Sequence, residues 1–174
     1  MIPTNFSEFR EPFVGGGSVF ISLKQEIERS MFRINDLNYD LFCFWKQLQR
    51  NADNLITELI EIKKSTTNGR DLYSSLKKQS LIKESEFETA VRFFILNRIT
   101  FSGLSTSGGY SEQSFEKRFT ISSIERLKPL SELIQGVKIT NNGYEDLVRK
   151  KGDNVFIFLD PPYFNAKASK LYGE

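Results

Sequence analysis

The chain has 174 residues, 39% hydrophobic and 13% aromatic, enough for one sizeable core with a small inserted subdomain. With no histidine and a single cysteine, Cys43, it excludes a Ser/His/Asp triad, a histidine-paired thiol, the usual zinc sites and any intrachain disulfide framework. The net charge of +2 permits a nucleic-acid partner without requiring one, and the absence of an 18-residue apolar run or a signal-like leader makes a cytoplasmic location without a membrane the default expectation.

Residues 7–13 read as a short strand entering a glycine turn, and residues 18–27 as a helix with Val19, Phe20, Leu23 and Ile27 on one face. A second strand over 31–34 leads to Asp36, and an apolar helix follows over 39–48, with Cys43 as a small buried hydrophobe. Residues 51–81 are Lys/Glu-rich amphipathic helix broken near Asn68-Gly69, which places them outside the sheet. The pattern over 84–98 is helical again and ends before a Ser/Thr/Gly-rich loop at 102–110. Ser122 and Glu125 have capping-box spacing, which predicts a helix running from there towards Gly136. Strands are expected at 137–140 and 155–159 around a short helix at 144–150. The last strand, VFIFL, reads as one covered on both faces of an α/β sheet.

Two segments carry chemistry. In EPFVGGGSVF (residues 11–20) three glycines stand between a strand and a helix, where backbone must turn sharply and approach a ligand without Cβ interference. A tight strand-to-helix turn would explain the glycines alone. The loop lacks the Lys-Ser/Thr of a nucleoside-triphosphate loop, but Asp36 ends the next strand about twenty residues on, where a carboxylate can reach ribose hydroxyls. The pair fits an adenosine-like ligand, and a nicotinamide dinucleotide would fit it as well.

The second segment is Asp160-Pro161-Pro162-Tyr163, directly after the last strand. Two prolines fix the backbone and remove amide donors, leaving oxygens free to accept from an exocyclic amine. The tyrosine ring offers a stacking face for a planar base. A rigid turn would account for the prolines but not for the aspartate and tyrosine on either side.

In this order EPFVGGGSVF, INDLN, NRITFSG and DPPY resemble the Dam-type (D12 class) DNA adenine methyltransferases, over nearly the whole chain. The resemblance implies a Rossmann-like α/β methyltransferase fold with a mainly helical inserted target-recognition region. Residues 1–50 and 134–174 would form the methyltransferase part and 51–133 the insertion. It implies S-adenosylmethionine as cofactor, double-stranded DNA as partner and base flipping of the target adenine. Carried over by position, Phe13, Gly15, Gly17, Asp36 and Asp160 would bind the cofactor, and Asp160, Pro161, Pro162 and Tyr163 would hold the flipped adenine. Asn97, Arg98, Ser105, Tyr110, Lys117 and Arg118 would touch DNA, no metal is required, and a monomer is expected. A cognate restriction endonuclease stands as a candidate partner.

Three departures from the family pattern stand out. Only ten residues precede the glycine motif, whereas the family usually has an upstream segment resembling K-W-A-G-G-K. Family members usually continue well beyond DPPY, so the chain reads as a fragment lacking both ends and weak or inactive alone. Gly143 stands where the family often has an acidic residue that holds the cofactor's adenine amino group. Alternative readings are an N4-cytosine methyltransferase, a non-catalytic DNA-binding remnant and a nicotinamide-dependent enzyme.

Overall fold

The computed structural model describes residues 5–27, 29–79, 84–101 and 108–161. Its sheet is built from β1 (Glu8–Glu11), β2 (Met31–Asn35), β3 (Lys138–Thr140) and β4 (Val155–Ile157), all parallel, in the order β3-β2-β1-β4. Parallel strands need crossovers. Helix α1 (Ser18–Glu26) joins β1 to β2, and α9 (Tyr144–Val148) joins β3 to β4. Between β2 and β3 the chain runs through α2 (Tyr39–Arg50), α3 (Ala52–Ser65), α4 (Gly69–Gln79), α5 (Glu86–Ile99), α6 (Glu112–Arg118), α7 (Ile121–Glu125) and α8 (Leu127–Leu133). This is the expected α/β sheet interrupted by a mainly helical stretch.

Alternation along β1 sends Phe9 to one face and Arg10 to the other. The Phe9 ring lies 5.5 Å from Phe32 and 5.7 Å from Phe156, joining three strands by aromatic contact. Phe32 in turn meets Phe20 at 6.0 Å, and Phe20 meets Trp45 edge-on at 6.0 Å, so α1 and α2 cover that face together. Each fully buried ring of this size contributes on the order of 1.5–3 kcal/mol. Cys43 is fully buried in the same core.

The opposite face holds charge. Arg10, 1% exposed, donates to Glu8 at 2.6 Å and to the carbonyls of Leu147, Lys150 and Lys151. Glu8 also accepts from Arg33 at 2.7 Å. Burial pushes the Glu8 carboxyl up, but the two guanidinium hydrogen bonds outweigh it and hold the group below its ordinary value. Arg10 thereby pins the α9–β4 passage to β1, which fixes where β4 delivers its carboxyl end.

The helical stretch shares this core. Phe44 of α2 stacks on Phe94 of α5 at 5.8 Å, and Arg92 of α5 bridges Asp40 at 3.0 Å and Glu84 at 2.7 Å. Helix α5 starts at a reciprocal capping box of Ser85 and Glu88.

Three local expectations change. The capping box near residue 122 is formed by Thr120 and Ser123, with Ser122 already inside α7. The helix from there to Gly136 is two pieces, because the Pro129 ring would clash with the Glu125 carbonyl in a continuous helix, whereas in the first turn of α8 its missing N–H costs nothing. The β4 strand is half-buried rather than covered on both faces, and among the described residues it is an edge strand paired with β1 alone.

Candidate active site at the carboxyl ends of the strands

Sheet order reverses direction between β1 and β4: the chain leaves β1 towards β2 and β3 on one side and returns through β4 on the other. Loops after those two strands part at this point, and in open parallel sheets the crevice between them is where ligands bind. The glycine loop follows β1 and Asp160 follows β4, so topology alone brings the two sequence motifs to one crevice.

The glycine loop is held from several directions. Gly15 and Gly17 have φ of 47° and 71°, left-handed values that favour glycine. Asp36 Oδ2 accepts from the Gly15 amide at 3.0 Å, and Trp45 Nε1 donates to the Gly15 carbonyl at 3.2 Å. A Cβ on Gly17 would sit 2.9 Å from the Trp45 ring, whereas at Gly15 and Gly16 it would meet nothing within 4 Å. The loop therefore presses one side on Trp45 and leaves the other open. Val14, just before the glycines, donates its amide to the Asn35 carbonyl at 2.9 Å.

Asn35, 2% exposed, binds three loops together. Its Nδ2 donates to the carbonyls of Pro12 and Asn142, and its Oδ1 accepts from the Asn142 amide at 3.0 Å and the Thr140 hydroxyl at 2.8 Å. Asn141 adds donations to the carbonyls of Asp36 and Leu37. Leu37, next to Asp36, and Tyr144 are exposed, and the Tyr144 ring lies 5.3 Å from Phe13. At Gly143 the carboxylate of Glu145 folds back, its Oε2 2.9 Å from where a Cβ would stand.

Glu11, at the end of β1, is 3% exposed and accepts from the Phe20 amide of α1 at 3.1 Å. Burial pushes its carboxyl up to about 7; the Phe20 hydrogen bond opposes the rise and the charge of Asp160 adds to it. The strand register brings Asp160 close: the Phe158 amide donates to the Arg10 carbonyl at 2.9 Å, so Asp160 follows two residues beyond the end of the β1–β4 pairing, as the glycine loop follows β1. Asp160 and Pro161 are exposed, while Pro162 and Tyr163 lie outside the described residues. Among those residues no group of His, Cys, Asp and Glu could hold a metal ion.

The expected DNA-contacting residues gather near the end of α5. Arg118 donates to the carbonyls of Asn97 and Thr100, and Lys117 is exposed beside it. Arg98 lies over the Phe94 ring at 5.1 Å with its buried Nε unpartnered. Burial first, then Arg118 and Arg126, lowers its pKa, the signature of guanidinium groups crowded together. Tyr110 is buried with its hydroxyl donating to Glu112, and Ser105 lies outside the described residues.

The family model of D12 class N6 adenine-specific DNA methyltransferases matches residues 1–173. The chain belongs to that family. It is 29% identical to a type II methyltransferase of Lactococcus lactis subsp. cremoris over 94% of its own length and 59% of the relative's. Similarity to a type II methyltransferase of Methanocaldococcus jannaschii is also 29%, over 91% and 59% of the two chains. Similarity to the DNA adenine methylase of Escherichia coli K12 is 25%, over 88% and 55%. The chain thus spans little more than half the length of these relatives.

The structure joins Asp36 to the glycine loop by a hydrogen bond and brings Asp160 to the same end of the sheet by strand order. It adds Glu11, Asn35 and Trp45, which sequence reading passed over. Glu11 was within reach, since an acid directly before a glycine loop at a strand end is a visible signal. The roles of Asn35 and Trp45 have no local signal, because the partners of their side chains lie from 23 to 107 residues away.

Proposed function

We propose that this chain forms the cofactor cleft and amine-holding turn of an enzyme that transfers a methyl group from S-adenosylmethionine to the 6-amino group of adenine in duplex DNA. The observation that carries the reading is that strand order brings the loop of Gly15 and Gly17, held by Asp36, and the turn at Asp160 to the same crevice between β1 and β4. Residues 1–50 and 134–174 form its methyltransferase part, and 51–133 its target-recognition region.

The site's own features fit the cofactor. Open space beside Gly15 and Gly16 admits a ligand against bare backbone. A carboxylate offers about four acceptor positions, so Asp36, with two spent on backbone amides, keeps others for ribose hydroxyls. Phe13, Leu37 and Tyr144 supply apolar surface for a flat adenine ring. Bound there, S-adenosylmethionine supplies an electrophilic methyl group on a positively charged sulfur.

Asp160 accepts a hydrogen of the target amine and orients the nitrogen lone pair, and Pro161 and Pro162 keep the acceptor oxygens in place. Tyr163 stacks on the base. An adenine inside a duplex cannot reach this turn, so it must be everted, at a cost of a few kcal/mol. Lys117, Arg118, Arg98 and Asn97 position the DNA, with phosphate contacts supplying affinity and base edges supplying sequence choice. The relatives called type II methyltransferases make a cognate endonuclease a reasonable partner.

The test is incubation of the protein with tritiated S-adenosylmethionine and mixed-sequence duplex DNA, followed by nucleoside mass spectrometry. N6-methyladenine is expected, falling by about a hundredfold or more in Asp160→Ala. N4-methylcytosine would move the target to cytosine. DNA binding without any methylated product would mean that the chain only binds DNA.

A further inference from the structure

Glu11 is the last residue of β1, on the face of the strand that carries Phe9, and is 3% exposed. Among the described residues its one hydrogen-bond donor is the Phe20 amide, a neutral group. A buried carboxylate normally has a cationic partner or several donors. The cations nearby are otherwise engaged. Arg10 and Arg33 lie with Glu8 on the other side of the sheet, and Lys24 of α1 sits over the Phe32 ring at 5.0 Å. From β2, Asp36 is turned to the Gly15 amide, and past the end of β4 the acid that comes towards Glu11 is Asp160, two residues beyond Phe158, whose amide donates to the Arg10 carbonyl. Among the described residues two acids thus stand past the carboxyl ends of neighbouring strands with no cation paired to Glu11, an arrangement that repels itself until a positive charge enters.

We infer that Glu11, set beside Asp160 at the mouth of the crevice between β1 and β4, is a positioning counter-charge that makes the cleft prefer the sulfonium cofactor over its neutral thioether product. The inference rests on the cofactor reading above. Methyl transfer breaks the S–C bond and leaves its electron pair on sulfur, so S-adenosylhomocysteine lacks the positive charge that S-adenosylmethionine carries. A cleft with an ionised Glu11 holds the first more weakly than the second and releases it after turnover. With Glu11 titrating near 7, the preference grows as pH rises through that value, since a protonated Glu11 attracts neither ligand.

Affinities of both ligands, measured by calorimetry on the DNA-free protein between pH 6 and pH 8.5, decide the matter. The ratio favouring S-adenosylmethionine should rise on the order of tenfold across that range in the native protein. In Glu11→Gln, which keeps an oxygen for the Phe20 amide, only the ligands' own titration remains, so the rise should be much smaller. Should that variant fail to fold, Glu11→Asp retains the charge and should retain the direction of the pH dependence. Equal pH profiles for the native protein and Glu11→Gln, or a ratio independent of pH in the native protein, would overturn the inference while leaving the cofactor reading intact. Binding of neither ligand at any pH would overturn both.

Discussion

The environment of single residues here sets measurable titrations. Glu11 binds its proton more tightly in the folded chain, at about 7, than its ordinary value of 4.5 allows once unfolded. The folded state therefore loses stability as pH rises from about 4.5 to about 7 and keeps that penalty above. Glu11→Gln should accordingly stabilise the protein by about 3 kcal/mol at pH 8 and by almost nothing at pH 4, read from chemical denaturation at both values. A gain equal at both pH values would mean that charge burial is not the cause. Cys43 is a second case. Fully buried, its thiol is pushed up by that burial to about 11 although the Tyr39 hydroxyl opposes the rise. A disulfide reagent at pH 8 should label it only on the timescale of unfolding, and rapid labelling of the native chain would contradict the packing.

Elements position these residues, and the glycine loop shows how unequal neighbouring glycines can be. Gly17 combines a φ of 71° with contact against Trp45, so Gly17→Ala strains the backbone and drives a methyl into the indole. Gly16 has neither constraint. Gly17→Ala should cost roughly 1–3 kcal/mol of stability and weaken cofactor binding, while Gly16→Ala should change stability by less than about 0.5 kcal/mol, both visible in thermal melts with and without S-adenosylmethionine. The start of α9 is a further case. Gly143 was read as a gap in an acidic position, yet the carboxylate of Glu145 occupies the space above it. If it faces the cofactor's adenine amino group, Glu145→Gln should weaken S-adenosylmethionine binding several-fold and leave binding of its inosine analogue unchanged. Equal losses for both ligands would place Glu145 in a purely structural role at the first turn of α9.

At the scale of the molecule, the helical stretch from α3 to α8 is fastened to the sheet domain by the Phe44–Phe94 stack and by Arg92 between Asp40 and Glu84. It presents Lys117, Arg118, Arg98 and Arg126 around the end of α5. Counterion release gives these a separate readout: Lys117→Ala should reduce the slope of log affinity for duplex DNA against log salt by about 0.9 and leave S-adenosylmethionine affinity unchanged. An unaltered slope would remove Lys117 from the phosphate-contacting set.

Read without coordinates, the chain already discloses most of its elements, since helical and strand periodicity are local properties and the runs around Phe20, Ile34 and Phe94 are long enough to show them. It also discloses the glycine loop, Asp36 and the DPPY turn, because these are contiguous motifs whose order is itself informative. What it leaves open depends on contacts between distant residues. Thr120 rather than Ser122 caps α7 because backbone geometry chooses which hydroxyl meets which amide, and β4 lies at the sheet edge because strand order leaves it paired with β1 alone among the described residues. The strand order β3-β2-β1-β4 placed Asp160 beside Glu11, and only that juxtaposition turns an ordinary glutamate into a buried acid without a counter-ion. Chemical type is written residue by residue along the chain, whereas the free energy of a charge belongs to its surroundings, which folding assembles.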